Sequence, residues 1–181
     1  MEGVRLTVFL IIAIALQWTL RNLFEAAVYV DFPLIVVVYA ALQRNAIRAI
    51  LFGTISGIAV DALSGGLLGS SGFSKTLIAF IVSEIARRVY MDNLLLRIPV
   101  LAGASLLHGV LYFGLHRLLS QPPTGDAVVV IAYSLLATTI AGTLIYMLLQ
   151  NMATDRTPHR KREMFAPRRQ TRRRNPIRLT K

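Results

Sequence analysis

The chain has 181 residues, of which 55% are hydrophobic and only 16% charged, yet its formal net charge is +11. A soluble domain carries about 25% charged residues, so this composition suits lipid better than water, and the absence of cysteine excludes disulfides, thiolate metal sites, cysteine nucleophiles and a lipoprotein anchor. The excess charge sits at one end: eleven of the twenty Lys and Arg lie from residue 151 onward, while the first 150 residues hold nine basic and seven acidic side chains.

A helix needs about 20 mostly apolar residues to cross about 30 Å of hydrocarbon. Residues 4–20, VRLTVFLIIAIALQWTL, are the first predicted span, with Trp18 placed for an interfacial belt. Glu2 offsets Arg5 ahead of it, so the run reads as a retained helix and not as a signal peptide. Residues 32–42, FPLIVVVYAAL, form a short second segment, with Asp31 as its N-cap and Pro33 in its first turn. Residues 46–63, 73–89, 94–118 (with Pro99 near its start) and 127–149 follow, the last after the loop QPPTGD at 121–126. The expected fold class is an all-α integral membrane protein, a six-helix transmembrane bundle over residues 1–150. Five spans result if the second segment only dips into the membrane.

Six spans with the N-terminus inside place Arg44, Arg48, Arg87, Arg88 and Arg97 in the cytoplasm and Arg21, Lys75 and Arg117 outside, in agreement with the positive-inside bias. The basic stretch 151–181 then follows the last span as a cytoplasmic tail. It has no apolar periodicity and is interrupted by Pro158, Pro167 and Pro176, so it is predicted to be disordered. Its Arg168, Arg169, Arg172, Arg173 and Arg174 are expected to meet anionic lipid or a cytoplasmic partner. Aromatic stacking partners are nearly absent, so no specific nucleic-acid role is expected.

The stretch VDALSGGLLGSSGFSKT, residues 60–76, places a carboxylate, a glycine-rich turn and an ammonium in an otherwise oily chain. Residues 69–76 approach a phosphate-binding loop, but Ser74 stands where a glycine must let backbone N–H groups wrap the phosphates, and no strand precedes it. Asp61, Glu84, His108 and His116 are ionisable groups in or near spans. None has motif spacing, and His108 and His116 lie too far apart for an i,i+4 metal pair. No catalytic residue, metal or cofactor is therefore expected. Glu84 is read as a partner of Arg87 and Arg88. His108, near mid-span, is read as a helix–helix hydrogen-bonding group, with a functional role as the alternative.

The third reading of 60–76 is architectural. Gly53 and Gly57 make a G-x-x-x-G step for close helix approach. Gly65, Gly66, Gly69 and Gly72 let the chain turn, and Ser71 or Ser74 can cap the helix that follows. Lys75 falls in the first turn of that helix, where the dipole disfavours a cation. An Asp61–Lys75 pair is the predicted remedy; two independently hydrated charges are the alternative.

The ordered run Gly53, Gly57, Asp61, Leu63, Ser64, Gly65, Leu68, Gly69, Ser74, Lys75 and Thr76, together with Asp31, Pro33 and Tyr39 upstream, resembles the MreD family of bacterial rod shape-determining membrane proteins. The resemblance implies a non-enzymatic scaffold of the bacterial inner membrane; the charge pattern above adds that both termini are cytoplasmic. It implies an MreC-like periplasmic scaffold protein as partner. It also implies association with the MreB filament and with the RodA glycosyltransferase and its transpeptidase partner in sidewall peptidoglycan synthesis. The family is similar in fold to the substrate-binding subunits of energy-coupling-factor vitamin transporters, so a vitamin-like substrate-binding subunit is the alternative function.

Overall fold

Long apolar runs become helices because lipid offers the backbone no other hydrogen-bond partner. The computed structural model of the chain describes residues 2–23, 28–89, 94–119 and 126–154, and the regular elements within them are six helices with no strand. They are α1 (Glu2–Leu23), α2 (Phe32–Leu42), α3 (Ala46–Ser64), α4 (Ser70–Arg88), α5 (Leu94–Leu118) and α6 (Ala127–Thr154). The basic residues Arg168, Arg169, Arg172, Arg173 and Arg174 lie outside the described residues. So does the rest of the tail from residue 155, although α6 carries the helical body four residues past the expected boundary at 150.

The helix count agrees with the sequence reading. Four helices, α1, α3, α5 and α6, are long and apolar enough to cross a membrane. With 11 residues, α2 reaches only about 16 Å at ~1.5 Å per residue, half the hydrocarbon thickness. The remaining helix, α4, has 19 residues but carries Ser70, Ser71, Ser74, Lys75 and Ser83 on its buried face. Other helices cover α2, and α4 turns its polar face inward against them while Phe73 and Phe80 face outward.

That cover has a definite order. Among the described residues α2 packs against every other helix. Around it α1 meets α3, α3 meets α4, α4 meets α5 and α5 meets α6, while α6 and α1 do not meet. Five helices thus form a horseshoe around α2, open on the α1–α6 side. Leu34, Val37, Ala40 and Ala41 of α2 are fully buried in the core, with Leu6, Leu10, Ala49, Phe52, Ile78, Ala79 and Leu101 packed round them. The outward faces carry Ile11, Ile47, Phe80, Leu106, Ile140 and Leu144, all exposed. An apolar exterior of this extent marks a lipid-facing surface.

The most extensive pair is α3 with α4. A Cβ on Gly57 would lie 2.4 Å from Gly72 Cα, and one on Gly53 would lie 2.8 Å from the Lys75 carbonyl oxygen. Only glycine allows the two backbones this close.

Candidate functional site

The chain enters α2 inside the bundle, and the polar groups at that entrance find partners in α2 itself and on several other helices. Asp31 is the N-cap, and its Oδ1 accepts the Leu34 N–H at 2.9 Å. Its own N–H donates to Thr138 Oγ1 of α6 at 3.1 Å, and Thr138 Oγ1 donates to the Tyr29 carbonyl at 3.3 Å. The Phe32 N–H donates to Gln17 Oε1 of α1 at 3.0 Å. Non-helical backbone at membrane depth survives only where protein satisfies it. Here α1 and α6 supply side chains for that purpose.

The second carboxylate oxygen of Asp31 faces two cationic or potentially cationic groups. Lys75 Nζ lies 2.8 Å away and is 1% exposed, against 15% for Asp31. His108 Nε2 lies 3.2 Å from the same Oδ2, and His108 Nδ1 lies 2.9 Å from Ser74 Oγ. With the imidazole protonated on Nε2, that N–H donates to Asp31, and His108 Nδ1 and the Ser71 carbonyl share the single Ser74 hydroxyl proton. Lys75 already balances the carboxylate. Such a cluster stabilises little in net terms, since desolvation offsets attraction, but removing one member leaves a buried charge at a cost of about 3–5 kcal/mol.

Asp61 is placed differently from the expectation. Its Oδ2 accepts the N–H groups of Gly69 and Ser71, each at 2.9 Å, and of Gly72 at 3.4 Å, so it does not pair with Lys75. The physical reason lies in the turn. After α3, Gly65 takes φ +64 and Gly69 takes φ +98, left-handed values that favour glycine. Gly69 stands at the N-cap of α4 without a side chain to offer, so the first amides of α4 need an external acceptor. Asp61, in the last turn of α3, provides it and sets its anion on the positive end of the α4 dipole. Lys75, one turn further along, reaches α2 instead.

The other predicted residues divide accordingly. Ser71 and Ser74 do not cap α4: Ser71 contributes its backbone, and the Ser74 hydroxyl sits against the Ser71 carbonyl at 3.2 Å and against His108. Pro33 occupies the first turn of α2. Ser64 Oγ donates within its own helix to the Val60 carbonyl at 2.7 Å. Glu84 lies 3.6 Å from Arg87 and 3.0 Å from Arg88 at the exposed end of α4. Thr54 and Thr76 hydroxyls meet at 2.8 Å across the α3–α4 contact.

Sequence reasoning missed Gln17 and Thr138. A lone amide in the apolar run of α1 was a usable signal for Gln17. Nothing distinguishes Thr138 from Thr139 beside it. Among the described residues no three of His, Asp and Glu gather as a metal site. The Asp31 cluster already contains an ammonium where a metal ion would need to sit, so its chemistry is that of a charge-balanced junction between helices.

A family model described as rod shape-determining protein MreD matches residues 1–154 of the chain. No curated protein and no solved structure matches it.

Proposed function

The chain belongs to the MreD family of rod shape-determining membrane proteins, and from that membership we propose that it acts as a non-enzymatic adaptor of the cell-elongation machinery in the bacterial inner membrane. Its partner in this reading is an MreC-like periplasmic scaffold protein. Through that contact it supports sidewall peptidoglycan synthesis by a RodA-type glycosyltransferase and transpeptidase pair, in step with the MreB filament. The single observation that carries the reading is the family match over the whole helical body.

Two features support it. The ionisable groups inside the bundle bond to one another and to backbone amides, which leaves the Asp31 cluster and Asp61 committed to holding helices. The outer faces of α1, α5 and α6 are apolar and open to neighbours in the membrane. In this reading both termini are cytoplasmic, supported by the positive-inside bias of Arg44, Arg48, Arg87, Arg88 and Arg97. The tail arginines Arg168, Arg169, Arg172, Arg173 and Arg174 then lie against the anionic inner leaflet. A vitamin-binding transporter subunit would need inward polar groups free to take a substrate, and the interior groups described above are bonded to each other.

The test is depletion with complementation. Cells depleted of the protein should lose rod shape and regain it when the intact chain is restored, and an MreC-like protein should co-purify from mild detergent. Persistent rods on depletion, or an eluate holding a vitamin-uptake ATPase module and no cell-wall proteins, would overturn the reading.

A further inference from the structure

An ammonium carries three N–H donors, and in a low-dielectric interior each one needs an acceptor. Lys75 Nζ, on a side chain only 1% exposed, meets a single acceptor among the described residues, Asp31 Oδ2 at 2.8 Å. The same oxygen takes His108 Nε2 at 3.2 Å, and Asp31 Oδ1 takes the Leu34 N–H. Two donors of the ammonium are left over. The groups beside it are less enclosed than it is: Asp31 keeps 15% of its side chain exposed and His108 keeps 13%. Unmet donors and accessible polar surface therefore adjoin in this cluster.

A second unmet group lies one turn along the same seam. Helix α4 ends at Arg88 and α5 begins at Leu94, so these packed neighbours run antiparallel. Ser74 faces His108 across them. Ser70 precedes Ser74 by one helical turn and Tyr112 follows His108 by one, which sets Ser70 and Tyr112 at the next level, toward the α3–α4 turn. Ser70 is 2% exposed, and its Oγ is buried with no hydrogen-bond partner among the described residues. The Tyr112 hydroxyl reaches the turn itself, 3.8 Å from where a Cβ on Gly66 would stand. In the opposite direction the core is hydrocarbon, with Leu34, Val37, Ile78 and Ala79 fully buried and Phe52 among them.

We propose that the Asp31–Lys75–His108 cluster is a binding site for ordered water, which accepts the spare protons of Lys75. Buried waters take such positions because they satisfy polar groups that no side chain reaches. An ion does not fit: Lys75 already balances Asp31, so the site has donors to satisfy and no charge to neutralise. The buried hydroxyl of Ser70 continues the polar seam toward the α3–α4 turn and gives the water its way in. Hydration of the cluster stands apart from the adaptor reading, because it rests on hydrogen-bond accounting alone.

Radiolytic footprinting of the full chain in lipid nanodiscs tests this. X-rays convert a bound water into a hydroxyl radical, which oxidises the side chain beside it even where bulk solvent does not reach. His108 should be oxidised several-fold faster than Phe52, a comparably reactive ring that is 9% exposed in the hydrocarbon part of the core, as read by mass spectrometry of the peptides. Asp31→Asn combined with Lys75→Met removes the spare donors together with the charge they balance, and should slow the oxidation of His108 several-fold. Equal rates for His108 and Phe52 in the parent chain overturn the proposal, and that measurement stands even if the double variant does not fold. An unchanged His108 rate in a folded double variant also overturns it, since the label would then come from solvent admitted by breathing of the bundle.

Discussion

Lys75 Nζ and Asp31 Oδ2 lie 2.8 Å apart, and that contact ties the second turn of α4 to the N-cap of α2 in the interior of the bundle. Asp31→Asn keeps the N-cap acceptor for Leu34 and removes the charge; Lys75→Met keeps most of the volume and removes the ammonium. Each single variant should lose about 3–5 kcal/mol of stability, the cost of a buried charge without its partner. The double variant should lose clearly less than the sum. Thermal unfolding of the four proteins in one detergent checks this, and additive losses would show that the contact carries no coupling.

Asp61→Leu should act on the start of α4. It strips the acceptor from the Gly69, Ser71 and Gly72 amides, each of which costs about 1–3 kcal/mol when left buried and unpaired. Asp61→Asn retains one acceptor oxygen and should be milder. Hydrogen exchange at residues 69–72 should quicken in the order parent, Asn variant, Leu variant. The coupling of Asp61 to Lys75 in a double-mutant cycle should be smaller than that of Asp31 to Lys75.

The two neighbouring threonines of α6 offer an internal control. Thr138→Val removes the acceptor of the Asp31 N–H and the donor to Tyr29, and should destabilise by about 1–3 kcal/mol. Thr139 Oγ1 is buried with no hydrogen-bond partner among the described residues. Thr139→Val should therefore be neutral or stabilising. Melting temperatures of the two variants should fall on opposite sides of the parent or differ by several degrees.

Glycines of similar helical placement should respond in opposite directions. Gly57→Ala drives a methyl into Gly72, and overpacking of this kind costs about 1–3 kcal/mol. A Cβ on Gly114 of α5 meets nothing within 4 Å, so Gly114→Ala should gain some of the roughly 0.5–1 kcal/mol by which alanine exceeds glycine in a helix. Unfolding in detergent measures the stability difference. Complementation of rod shape should fail first for Gly57→Ala.

Much of this architecture was readable in advance. Apolar runs and the signals Asp31, Pro33, Gly65 and Gly69 place the helix ends, because caps and left-handed turns are local chemistry. The run from Gly53 to Thr76 was enough to suggest the family. The partner of Lys75 was not readable. Along the chain Asp61 is nearer and lies just across a tight turn, so proximity favoured it. Asp31 wins because α2 runs up the centre of the bundle and brings its cap to α4, and no local pattern encodes that placement. The inward polar face of α4 was not readable for a related reason: it is tolerable because α2, α3 and α5 cover it.

The entrance of α2 has a consequence for how the protein is made. The Asp31 amide is held by Thr138, 107 residues later in the chain, and the Asp31 carboxylate by Lys75 and His108. None of these groups exists when α2 leaves the ribosome. The bonds that fix the entrance of α2 are therefore complete only once Lys75, His108 and Thr138 have all been added to the bundle.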